Sequence, residues 1–302
     1  MFLVILLYAL FGSLFTLGKI TLFYAKPFFI TGALMLIGGS ITMAYLYLSN
    51  SQKYSIRAQD WTYYLKIGIF GVFLPYCLRA WGLQYMPSTK AAFIFTFFPF
   101  STALLSYLIH KEKLSLQKMI GLLIGFVGMI PTLITTTPLE QLKGSLGFIS
   151  LPELAVIGAV ICFSYNLINV RVLVKERGCP APLATGMGAL IGGFLAFDAA
   201  LLFERPLSIK DPSIFWPLLF LQIVISNGIC LNLQAHLLKE YSPTFLAFAG
   251  FLTPIWAAFF GWFFLNEKAY PSYIISFILV LAGLIIFYYD TRAQEAPQKN
   301  IR

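Results

Sequence analysis

Arg79 stands in Tyr76-Cys77-Leu78-Arg79-Ala80-Trp81, within a run that is otherwise apolar. A guanidinium does not shed its proton, and a charge inside such a run needs a partner or a wet cavity. Its planar fork fits a carboxylate with two parallel hydrogen bonds. The chemistry this suggests is capture of an acidic ligand group, with Tyr76 and Trp256 as ring faces; a cation that snorkels to an interface is the plainer alternative. Amides form a second set. Tyr165, Asn166 and Asn169 interrupt one apolar run, where the two asparagines share a helix face. Asn227, Asn232 and Gln234 interrupt another, where Asn227 and Gln234 share a face. Buried amides point inward, either to bond a neighbouring helix or to line a path. Lys19 and Arg171 follow Phe11 and Phe163 by the same interval, which suggests a cation at each mouth of such a path, or two helix-end charges. Asp198, in Phe197-Asp198-Ala199-Ala200, is a conceivable proton carrier.

The elements that must position these residues follow from composition. The 302 residues are 59% hydrophobic and 11% charged, with a mean hydropathy of +0.81. Soluble domains carry about 25% charged residues, so lipid is the expected solvent. Apolar runs long enough to cross a bilayer fall near 2–22, 27–48, 62–82, 91–109, 117–135, 153–174, 183–203, 214–237, 244–265 and 271–289. The expected fold is all-α and polytopic, with ten transmembrane helices. The runs lack the two-residue alternation of a membrane β-barrel. The first run has no basic leader and no small-residue cleavage site, so it reads as a span and not as a signal peptide.

Several function classes drop out. The net charge of +9 comes from Lys and Arg dispersed through short gaps, not from a basic patch, so no nucleic acid is expected. Cys77, Cys162, Cys179 and Cys230 are far apart with no His cluster, so neither a metal nor a disulfide framework is expected, and no cofactor. Gly18-Lys19-Ile20 lacks the spacing and the Ser or Thr of a phosphate loop, which removes ATP as an energy source. The expected partners are the bilayer and a small-molecule substrate; nothing in the sequence specifies an oligomeric state.

Pro99, Glu112 and Gly128 recur at Pro254, Glu267 and Gly283, 155 residues later. The chain is therefore an internal duplication, with halves at 1–137 and 153–289, a linker at 138–152 and a charged tail at 290–302. Five spans per half is an odd number, so the second half enters the membrane from the opposite side. A tandem repeat in sequence becomes an inverted repeat in space, the architecture of alternating-access carriers. Pro99 and Pro254 each remove a helical hydrogen bond and are expected to kink their spans. Glu112 and Glu267 read as helix-end fixtures, pairing locally or binding the backbone at the next helix start. Counted over the gaps, Lys and Arg place both termini in the cytoplasm.

The duplicated segments resemble the drug/metabolite transporter superfamily, in its ten-span EamA-like branch. Phe11-Gly12-Ser13 with Lys19 resembles that family's first-helix pattern, and Phe163-Ser164-Tyr165 with Arg171 its second copy. Gly82-Leu83-Gln84-Tyr85 with Lys90-Ala91-Ala92 resembles the turn between its third and fourth helices. Pro99 to Glu112 and Pro254 to Glu267 resemble its Pro-to-Glu helix, entered twice. Leu14 stands where many members have Asn. The resemblance implies inverted repeats, a central cavity, secondary transport of small organic metabolites and, for a bacterial chain, the inner membrane. One subgroup, in intracellular bacteria, exchanges S-adenosylmethionine for S-adenosylhomocysteine. Its compact loops and length resemble this chain, and aromatic faces, Arg79 and amides suit such a substrate; an exporter of amino acids or related metabolites is the alternative, a channel or a membrane enzyme a remote one, and with no clustered catalytic constellation no enzyme is expected.

Overall fold

The computed structural model describes residues 2–48, 56–110, 115–135, 137–147, 149–230, 233, 237, 249–268 and 270–295. Helices dominate. α1 (Phe2–Thr21) and α2 (Pro27–Leu48) precede α3, which runs through three consecutive pieces: Trp61–Lys66, a π-helical Ile67–Phe73 and Leu74–Leu83. α4 is interrupted, Ser88–Phe95 then Phe98–His110, and α5 covers Leu116–Ile134. A helical turn at Pro138–Gln141 and an antiparallel pair of two-residue strands, β1 (Ser145–Leu146) and β2 (Ile149–Ser150), lead to α6. This hairpin was not anticipated in the linker. α6 is Leu151–Arg171 with a π-helical extension Val172–Glu176, and α7 is Ala181–Phe203. α8 is Pro212–Ile223 with a π-helical Val224–Cys230, followed by α9 (Leu252–Leu265) and α10 (Pro271–Glu295).

Among the described residues seven helices, α1, α2 and α4 to α8, are long and apolar enough to cross a membrane. α3 carries Lys66 and Arg79 among its apolar residues, which lowers its hydropathy. The apolar stretches of α9 and α10, Leu252–Leu265 and Pro271–Phe287, are shorter.

Local chemistry explains where the helices begin. Ser150 and Glu153 form a capping box at the start of α6: the Ser150 amide donates to Glu153 Oε2 at 2.5 Å, and the Glu153 amide to Ser150 Oγ at 3.3 Å. Ser115 caps α5 and Asp211 caps α8 through the same kind of side-chain acceptor. Pro99 lies in the first turn of the second piece of α4, after the turn at Thr96 and Phe97. Pro254 lies in the first turn of α9, after the turn at Gly250 and Phe251.

α2 packs along α7, α5 along α10, α1 along α9, and α6 against both α3 and α4. The α5–α10 contact is made backbone to backbone. A Cβ on Gly121 would fall 2.6 Å from the Gly283 carbonyl oxygen, and one on Gly283 2.6 Å from the Gly125 nitrogen. Such approach is how helices associate in lipid, where there is no hydrophobic force between them. One core cluster, with Phe15, Phe97, Phe100, Leu122, Val156 and Val280, joins α1, α4, α5, α6 and α10. Leu123, Phe194, Phe220 and Phe263 face outward and exposed, as lipid contact requires.

Candidate functional site

Arg79 lies about one turn before the end of α3, half-buried. Its guanidinium carbon is 4.9 Å from the centroid of the Tyr76 ring and 5.7 Å from that of Phe15. Tyr76 meets Phe163 at 5.2 Å between ring centroids, Phe163 meets Phe95 at 5.9 Å, and Phe95 meets Phe15 at 5.3 Å, all edge-on. α1, α3, α4 and α6 thus contribute one ring each to a connected set, of which Phe15 and Tyr76 lie against the guanidinium.

No carboxylate pairs with Arg79 among the described residues, because every acid with a described side chain is engaged elsewhere or exposed. Glu140 and Glu153 hold Lys90, and Asp60 holds Arg177. Glu204 accepts from the Phe28 and Phe29 amides, Glu267 from Ser88 and Thr89, and Asp211 from Ser213. Glu176 and Asp198 are exposed, which removes Asp198 from the interior. A guanidinium stacked on ring faces keeps its N–H donors in the ring plane free for a bidentate acceptor. The arrangement can therefore hold a carboxylate, with ring faces left over for a flat or cationic group.

The other amides and aromatics selected from sequence do not join this set. Tyr165 meets Phe70 at 5.1 Å, and Asn166 packs on the same π-helical stretch, where a Cβ on Gly71 would fall 2.4 Å from its Oδ1. That Oδ1 is buried with no partner among the described residues. On α3 this point lies about two turns from Arg79. Asn169 is buried and donates to the Tyr165 carbonyl of its own helix at 2.8 Å. Asn227 sits in the π-helical stretch of α8 and faces Gly38 of α2. Trp256 backs onto Gly12 of α1, and its ring contacts are with Phe259 and Phe260 of its own helix. Lys19 donates to the Met86 carbonyl. Arg171 is exposed. Asn232, Gln234 and Glu112 lie outside the described residues.

Phe15, Phe95 and Phe163 were not singled out as site residues. Phe163 stood in a recognised motif, but in a chain with 30 Phe nothing local marks the other two. Lys90 was also missed: it reads as a gap residue that sets topology, yet it is fully buried in the first turn of α4. Its Nζ lies 2.6 Å from Glu140 Oε2, 2.5 Å from Glu153 Oε1 and 2.7 Å from the Thr135 carbonyl. All three charged side chains have no exposure. Burial pushes the Glu140 carboxyl above the usual carboxylate range; Lys90 pulls it back and Glu153 adds to the rise. Glu267 does bind a helix start, but that of α4, 179 positions earlier in the chain.

A family model described as the EamA-like transporter family matches residues 1–134 and 150–289. A protein of Chlamydia muridarum named S-adenosylmethionine/S-adenosylhomocysteine transporter is 31% identical over 296 residues, covering 96% of this chain and 91% of the relative. A Chlamydia trachomatis serovar L2 protein of the same name is 30% identical, covering 96% and 89%. A solved crystal structure with 18% sequence identity superposes with a TM-score of 0.60, covering 97% of this chain and 98% of the other, and shares the fold.

Proposed function

The chain belongs to the EamA-like transporter family, and from that premise we propose that this multi-pass transporter carries S-adenosylmethionine, in exchange for S-adenosylhomocysteine, by alternating access across a bacterial inner membrane. The observation that carries the reading is Arg79, a permanent cation inside the bundle with ring faces beside it and no carboxylate partner among the described residues. The substrate carboxylate is the missing partner. The rings of Phe15, Tyr76, Phe95 and Phe163 suit adenine and the sulfonium. Asn166, with its unpartnered oxygen, is a candidate for the ribose hydroxyls. The names of the chlamydial relatives support the same substrate pair.

The architecture behind this is ten transmembrane helices in two inverted repeats, 1–137 and 153–289, with both termini cytoplasmic. Helix pairing supports it. Exchanging the halves maps α1 onto α6 and α9 onto α4, and α1 packs on α9 as α6 packs on α4. α2–α7 and α5–α10 map onto themselves and lie side by side, as helices on a two-fold axis must. On this reading Lys19 and Arg171 stand at opposite mouths of one path. Pro99 and Pro254, in first turns and so removing no helical hydrogen bond, follow the breaks at Thr96–Phe97 and Gly250–Phe251, which are the soft points of α4 and α9.

The test is uptake of labelled S-adenosylmethionine into proteoliposomes holding the purified chain. Uptake should saturate, and unlabelled S-adenosylhomocysteine should both compete from outside and accelerate from within. Absence of competition rejects the substrate pair. Ion conductance without counterflow rejects the carrier.

A further inference from the structure

The turn Met86–Lys90, which joins α3 to α4, is tied by polar groups of four other parts of the chain. From α1, Lys19 donates to the Met86 carbonyl. From beyond α9, the Glu267 carboxylate accepts from the Ser88 amide (2.6 Å), Ser88 Oγ (3.0 Å), the Thr89 amide (3.1 Å) and Thr89 Oγ1 (2.9 Å). From the α5–α6 connection and the start of α6, Thr135, Glu140 and Glu153 hold Lys90. Glu267 reaches the turn because Asn266 takes a left-handed conformation, φ 51°, that folds the chain back after α9. The amides of a first helical turn have no helical acceptor, so a carboxylate placed there takes up both the hydrogen bonds and the helix dipole.

These ties divide into two kinds. The Lys90 group is fully buried and fastens α4 to the start of α6. The Glu267 and Lys19 bonds run across to α9 and α1, and Glu267 is half-exposed. They are the ones that must break if α9 and α1 are to part from α4. The turn also lies over the aromatic set: Phe15 is about one turn from Lys19, Arg79 about one turn from Leu83, and Phe95 a little more than a turn from Lys90. Among the described residues, other contacts hold the opposite end of the bundle. There Arg177 meets Asp60 at 2.8 Å with the arginine side chain 37% exposed, and Arg57 reaches the Arg177 carbonyl at 3.3 Å, also exposed. The repeat copies the tie in sequence only in part. The residues 155 positions after Ser88, Thr89 and Lys90 are Pro243, Thr244 and Phe245: the proline brings no N–H or hydroxyl and the phenylalanine no charge, and Thr244 alone keeps its donors.

We propose that the Met86–Lys90 turn, with Glu267 as its breakable contact, is a latch that keeps the Arg79 end closed in the substrate-free carrier, so that the two faces of the cycle are held unequally. This rests on the alternating-access reading. The Lys90 group acts as the fixed side of the latch, and Lys19 assists Glu267.

The experiment places a reporter cysteine at Ala92, buried beneath the turn, with Cys77, Cys162, Cys179 and Cys230 replaced by alanine. A membrane-impermeant thiol reagent is applied to reconstituted carrier from each side separately. The parent should label slowly from the side of the turn. Glu267→Gln should raise that rate about tenfold, the change expected if about 1.4 kcal/mol of closure is lost, and should lower labelling from the opposite side. Ser88→Ala with Thr89→Val removes only the hydroxyls and should give a smaller rise in the same direction; it also serves if Glu267→Gln fails to insert. An unchanged rate in the inserted variants, or a parent already labelled fast from the side of the turn, overturns the latch. Simultaneous access from both sides in the parent, unaffected by substrate, overturns alternating access instead.

Discussion

Lys90 and Arg79 are two cations held inside the same bundle of apolar helices, and their surroundings are opposite. Lys90 is enclosed, with two carboxylates and a carbonyl within hydrogen-bond distance of one nitrogen. Arg79 is half-buried against two ring faces and has no acid beside it among the described residues. Substrate chemistry belongs with the cation whose donors are left free. An ion pair uses up the cation it contains, and its removal shows as instability. A ring face holds a cation without occupying its donors, so that cation stays available to a ligand.

The largest effect is expected of Lys90→Met. It leaves two buried carboxylates uncompensated, at a cost of about 3–5 kcal/mol. Inserted protein, followed by size-exclusion of a fluorescent fusion, should largely disappear. Adding Glu140→Gln and Glu153→Gln, which removes the stranded charges, should restore most of it. A single variant that inserts like the wild type would show that Lys90 is not the structural member of the pair.

Arg79→Ala should do the reverse. Insertion stays normal and S-adenosylmethionine uptake falls by about 100-fold, the loss of a charge-assisted contact worth up to about 3 kcal/mol. Arg79→Lys should recover little, because an ammonium cannot make the two parallel bonds. Wild-type uptake in a folded, inserted Arg79→Ala protein would make Arg79 a snorkelling residue.

A third outcome sharpens what the rings beside Arg79 are for. The sulfonium gives S-adenosylmethionine one more positive charge than S-adenosylhomocysteine, so each exchange moves one charge inward. A charge crossing 100 mV gains about 2.3 kcal/mol. An inside-negative diffusion potential should therefore raise accumulation of the labelled substrate, and insensitivity to potential would reject this pair of substrates. A smaller effect is expected for Phe163→Leu, which removes ring contacts worth about 1 kcal/mol: the uptake KM should rise about fivefold with little change in maximal rate. The least effect on uptake should follow from Arg177→Gln, beside the other end of α3: its partner Asp60 is buried, so detergent melting should fall, while uptake by the inserted protein stays at the wild-type value.

The legibility of the site follows the same division. Arg79 could be picked out because a lone guanidinium in an apolar run is conspicuous by itself, and Tyr76, three residues away, came with it. Lys90 could not, since its partner Glu140 is 50 positions away in a connection that looks like solvent-facing linker. The contact of Glu267 with the start of α4 spans 179 positions. The two asparagines of α6 share a helix and still part company: Asn169 bonds its own backbone while Asn166 faces the π-helical stretch of α3.

Taken alone, the sequence determined the solvent, the positions of most apolar helices, the duplication and the family, because hydropathy and spacing are summed over neighbouring residues and survive without any knowledge of contacts. Tertiary structure decided which charges neutralise one another, which of many phenylalanines join the ring set beside Arg79, and which carboxylate closes the start of α4. Those depend on residues far apart in the chain that meet only when helices pack, and in a medium that offers no water to take the place of a missing partner.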